Sequence, residues 1–107
     1  MKLFEKLETL AYWNIVVPLQ GRTTFDFVNE HYDEGMKVLD FGCGTGSNSK
    51  LFNPEDYIGS EVDSSRVKSS SNKYPKYKFE KIPIINSSKD KLPWKDDSFD
   101  MIFISLC

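Results

Sequence analysis

The stretch Val38-Leu39-Asp40-Phe41-Gly42-Cys43-Gly44-Thr45-Gly46 constrains this chain more than any other. A short apolar run from Met36 to Phe41 carries one acid near its end, and three glycines follow at every second position. Such a run reads as a buried strand of a parallel sheet, and ligands of open α/β sheets collect beyond the strands' carboxyl ends. Glycines there let the chain turn sharply and let a ligand approach the backbone without meeting a Cβ. Asp40 sits where a carboxylate can accept hydrogen bonds or face a positive charge. The pattern is that of a loop that holds a cofactor.

The glycine spacing narrows the choice. A Walker loop needs Gly-Lys-Ser/Thr at its end, and Gly46 is followed by Ser47-Asn48. The dinucleotide fingerprint places its third glycine three positions after the second, which here is Ser47; the glycine falls at Gly46 instead. An acid followed by Gly-x-Gly-x-Gly resembles the first motif of the class I S-adenosylmethionine-dependent methyltransferases. Three further segments match that family in order: Tyr57 to Asp63 as its second strand with an acid, Leu92-Pro93-Trp94 as a loop, and Ser98 to Leu106 as its fourth strand.

The resemblance implies an α/β fold, a Rossmann-like parallel sheet with flanking helices. It is incomplete here, with about four strands and without the C-terminal half of the family fold. Residues 1–35 are expected to form N-terminal helices and 36–107 a partial S-adenosylmethionine-binding domain. The implied cofactor contacts are Gly42, Cys43, Gly44, Thr45 and Gly46 against the methionine and ribose parts, with Asp40 placing the amino group. Glu61 is the ribose acid, with Val62 beside it, and Ser105 lies at the end of the last strand. Asp63, two residues after Glu61, is better explained as the cap of the next helix. At the adenine end the family's acid falls on Ser88 here, so either Ser88 or the nearby Asp90 takes that contact, with Ile84, Ile85 or Leu92 as the apolar wall.

Taken in order, residues 2–17 read as a helix with Leu3, Leu7 and Leu10 stacked, broken by Pro18 and Gly21. A second helix starts at Thr23 or Thr24, sets Phe25, Val28 and Tyr32 on one face, and stops at Gly35. Both are expected to pack on the sheet; the resemblance also implies that helices placed before the first strand can cover the cofactor or shape the acceptor site. After the first strand (36–41) a short helix spans about 47–52. The second strand is 57–62, a helix poor in apolar residues begins after Asp63, a third strand starts at Tyr77, and a fourth spans 101–106. The chain stops there, as a fragment or a truncated product. The outer edge of the fourth strand is then expected to lack a neighbour and to invite self-association.

The remaining residues mostly exclude functions. Eight Phe, five Tyr and two Trp in 107 residues rule out a disordered composition. A net charge of −2 implies neither nucleic acid nor membrane, and Cys43 and Cys107 have no metal or disulfide spacing, so a cytoplasmic setting is expected. Residues 66–95 carry nine Lys and Arg against Glu80 and Asp90. That segment reads as a solvated face, with nucleic acid possible but not favoured. His31 reads as a surface residue, Phe99 as a core anchor and Asp100 as a backbone partner. The stretch Ser105-Leu106-Cys107 does not match the Asn/Asp-Pro-Pro-aromatic signature of the family's amino methylases, which points away from DNA and protein-amide nitrogen and leaves small-molecule, lipid and RNA acceptors open, a small molecule being expected. Two other classes remain: a non-catalytic module that binds the cofactor or acts through partners, and an NAD-dependent oxidoreductase, disfavoured by the glycine spacing.

Overall fold

The computed structural model of the chain describes residues 15–16, 24–84 and 91–104. Among the described residues, five parallel strands form one sheet: β1 (Ile15–Val16), β2 (Val38–Phe41), β3 (Tyr57–Glu61), β4 (Lys78–Lys81) and β5 (Met101–Phe103). Their spatial order is β1-β5-β2-β3-β4. From β2 the chain moves outward to β3 and β4, then crosses back to place β5 on the other side of β2. The direction of winding therefore reverses at the carboxyl end of β2, where open α/β sheets bind ligands.

The two-residue period of the strands sorts their side chains onto two faces. One face carries Val38, Tyr57, Phe79, Met101 and Phe103, packed with Val28 of helix α1 (Thr24–His31) and Val67 of helix α2 (Ser64–Lys73). The other carries Leu39 and Ile102, covered by Phe99, Leu92 and Trp94 from the segment before β5. Trp94 meets Phe99 edge to face, with ring centroids 5.4 Å apart. Asp100 joins β5 to β2 as expected: its carboxylate accepts from the Lys37 amide at 2.9 Å, and its own amide donates to the Lys37 carbonyl at 2.8 Å.

Helix α2 forms despite its polar sequence because its first turn is capped. Asp63 accepts from the Ser65 amide at 2.9 Å and the Arg66 amide at 3.3 Å, the role expected of it. Gly35, at φ +94°, follows α1 and reverses the chain towards β2.

Four expectations change. The helix expected over 2–17 gives way at Ile15–Val16 to a strand; residues 1–14 and 17 lie outside the described residues. The run Ile15-Val16-Val17 is β-branched, which suits a strand better than a helix. This strand pairs with β5 through Ile15↔Ile102 and Val16↔Phe103, so the edge expected to drive self-association is covered by the chain itself. Phe25, expected on the packed face of α1, is 63% exposed. The helix expected after the glycine loop is a single 3₁₀ turn, Ser49–Leu51. Among the described residues no helix is long and apolar enough to cross a membrane.

Candidate functional site

β2 delivers its chain into the glycine loop at the point where the sheet's winding reverses. Gly42, Gly44 and Gly46 all have positive φ, at +71°, +59° and +80°. The three do different work. A Cβ on Gly46 would lie 2.8 Å from Phe79 Cε1 and 3.1 Å from Ser70 Cβ, so this glycine lets α2 and β4 close on the loop. A Cβ on Gly42 or Gly44 would meet nothing within 4 Å. Those two positions border open space, as a backbone cradle for a ligand must.

The loop is held from several sides. The Cys43 amide donates to the Ser60 carbonyl at 2.9 Å, continuing the β2–β3 ladder beyond the strand end. The Ser70 hydroxyl of α2 donates to the Gly44 carbonyl at 3.2 Å. The Gly44 amide donates to Glu61 Oε1 at 3.0 Å, and the Asp63 amide donates to Glu61 Oε2 at 3.1 Å. Glu61 thus stands at the end of β3 directly beside the loop, 6% exposed. An ionised carboxylate offers about four acceptor positions, so two amides leave room for two further donors. A ribose with vicinal hydroxyls presents that pair.

Asp40 lies deeper than a surface ligand residue. It is fully buried, and its Oδ2 accepts from the Tyr57 hydroxyl at 2.5 Å. Oδ1 is buried with no hydrogen-bond partner among the described residues. Burial pushes the Asp40 carboxyl up to about 6, opposed by the Tyr57 hydrogen bond. Cys43 is buried, and its thiol is pushed up to about 12 by burial and then by the charges of Asp40 and Glu61. Its side chain packs in the core cluster with Val38, Phe52 and Tyr57.

The structure brings together Asp40, Gly42, Cys43, Gly44, Gly46 and Glu61. Thr45 and Val62 flank them at the surface, Val62 being 42% exposed. Ile84 is 64% exposed, and Leu92 packs on the opposite face of the sheet with Leu39 and Ile102. Ser88, Asp90, Ile85 and Ser105 lie outside the described residues. Sequence reasoning missed Tyr57. Its only signal was the spacing Tyr57-x-Gly59, which puts an aromatic and a bare position on the same face of one strand. Open space at Gly42 and Gly44, spare acceptor positions on Glu61 and an unpartnered buried carboxylate oxygen on Asp40 together suit a cationic nucleoside cofactor.

Residues 39–107 match the family model of a methyltransferase domain. An uncharacterized protein of Methanocaldococcus jannaschii is 29% identical over 99 residues, spanning 92% of this chain and 34% of its own length. A TehB-like SAM-dependent methyltransferase from Corynebacterium glutamicum shares the fold, with a TM-score of 0.53 at 20% identity over 81% of this chain. The chain spans about a third (34%) of the curated relative and about half (47%) of the solved structure.

Proposed function

Because the chain belongs to the methyltransferase-domain family, we propose that it forms the S-adenosylmethionine-binding part of a cytoplasmic enzyme that methylates a small molecule. The observation that carries the reading is the placement of Glu61 against the glycine loop, one oxygen on the Gly44 amide and the other on the Asp63 amide. Glu61 accepts the ribose hydroxyls. Gly42 and Gly44 let the loop backbone lie against the ligand, and Asp40 contributes a buried negative charge behind it. When bound, S-adenosylmethionine supplies a methyl group on a positively charged sulfur, already activated for in-line displacement. What remains for the protein is to align acceptor and methyl and to exclude water, so proximity and orientation carry much of the rate and no dedicated base is required of these residues.

Calorimetric titration with S-adenosylhomocysteine tests the reading. Saturable binding by the wild-type chain is expected. Glu61→Gln, which removes the charge while keeping the shape, should weaken it by at least about tenfold, the scale of one charge-assisted hydrogen bond. A folded wild-type chain that binds NADH more tightly than S-adenosylhomocysteine would refute the proposal.

A further inference from the structure

Tyr57 opens the second matched segment without a role of its own there, yet its hydroxyl reaches Asp40. It starts β3 opposite Val38, while Asp40 lies opposite Gly59, two residues further along and on the same face. The ring can run up that face only because position 59 has no side chain. A Cβ there would stand 2.9 Å from the Tyr57 hydroxyl and 2.7 Å from Phe79 Cδ1. The ring is clamped by Phe52, Tyr77 and Phe79, with centroids 5.5, 5.5 and 5.8 Å away, and the residue is 2% exposed. Tyr77 is anchored in turn, its hydroxyl donating to the Phe52 carbonyl at 2.7 Å.

We propose that Tyr57 is a positioning residue of the cofactor site: held in the lane left by Gly59, it fixes Asp40 through Oδ2 and keeps it an anion behind the glycine loop, with Oδ1 free to act on a cationic ligand. The inference rests on the function proposed above, in which that ligand carries positive charge. The titratable groups around the pair are Cys43 in the loop, Glu61 at the end of β3 and Tyr77 beside Tyr57. Burial raises the Cys43, Tyr57 and Tyr77 groups, which keeps all three neutral. None of these groups is a cation. The Tyr57 hydroxyl is therefore what opposes the desolvation of the Asp40 carboxylate until a positively charged ligand arrives.

The test has two readouts. In the ligand-free chain, the Asp40 carboxyl carbon is titrated by nuclear magnetic resonance in wild type and Tyr57→Phe. Loss of a hydrogen bond to a charged group should move the midpoint up by roughly 1–2 pH units. S-Adenosylhomocysteine binding is then measured from pH 5 to 9. The acid limb of binding should follow the midpoint, leaving Tyr57→Phe about two- to tenfold weaker at pH 7, the change in ionised fraction that such a shift produces, and close to wild type at pH 9. Asp40→Asn, which keeps the shape of the site, should bind weakly and lose the acid limb altogether. A Tyr57→Phe midpoint equal to wild type, or an acid limb that survives in Asp40→Asn, overturns the inference alone. Failure of the wild-type chain to bind S-adenosylhomocysteine at any pH overturns the proposed function, and the role of Tyr57 towards that ligand with it.

Discussion

Replacing Gly46 and Gly44 one at a time by alanine separates packing from ligand approach within a single motif. Both residues have positive φ, so each alanine pays a left-handed backbone penalty of about 1–2 kcal/mol. At Gly44 little else follows, because no atom lies within 4 Å of the new Cβ. At Gly46 the Cβ would stand 2.8 and 2.9 Å from two carbons of the Phe79 ring and 3.1 Å from Ser70 Cβ. The ring has no easy retreat, since it already fills the space over Gly59. Overpacking of this kind costs about 1–3 kcal/mol more, for a total of about 2–5 kcal/mol. Small domains have about 5–15 kcal/mol of stability in all, so Gly46→Ala should remove much of it. Urea denaturation reads the difference: with a slope of about 1–3 kcal/mol per molar, the Gly46→Ala midpoint should drop by roughly 1–3 M, and Gly44→Ala by about half of that. Gly44→Ala should instead weaken S-adenosylhomocysteine binding while staying folded. Equal midpoints for the two variants, or unchanged affinity in Gly44→Ala, would refute the division of labour.

Two further outcomes follow from named contacts. The Asp40 carboxyl is raised from 3.8 to about 6, so between those values the folded chain holds a proton that the unfolded chain releases. Its contribution to stability therefore falls as pH rises through that window, by up to about 3 kcal/mol, and is level above it. The difference in urea midpoint between wild type and Asp40→Asn should change between pH 4 and 7, and a constant difference would count against the buried-carboxylate account. At the opposite end of the sheet, Tyr32 donates to Asp56 Oδ2 at 2.6 Å and accepts from the Asn53 amide at 3.1 Å. Tyr32→Phe should cost about 1–2 kcal/mol of stability and leave cofactor affinity unchanged, and a parallel loss of affinity would show that the two ends of the sheet are coupled.

β2 and β5 were legible because each is short, largely apolar and bounded by turn residues. The same periodicity misled at the N-terminus. There the leucines of residues 3–10 extended a helical reading into Ile15 and Val16, whose β-branched side chains and parallel pairing with β5 make them a strand. Phe25 fits a helical stripe equally well and is exposed, because a period says which residues share a face and not what that face meets.

By itself the sequence determined the local chemistry. The spacing of Gly42, Gly44 and Gly46 set the type of loop, Glu61 at the end of the next strand supplied the acid beside it, and Asp63 capped α2 through atoms two and three residues away. The glycine spacing and the Asp63 cap are short-range facts, written in neighbouring residues, whereas Glu61 reaches the loop across 17 residues through the β2–β3 pairing. Only the tertiary structure decided which glycine is packed and which is open, since that depends on where Phe79, 33 residues later, places its ring. It alone covered the outer edge of β5 with residues from the other end of the chain. It also joined Tyr57 to Asp40, a contact that exists because strand register aligns Asp40 with a glycine and leaves the neighbouring tyrosine a path to it. Register and crossover are properties of the assembled sheet, and no local pattern encodes them.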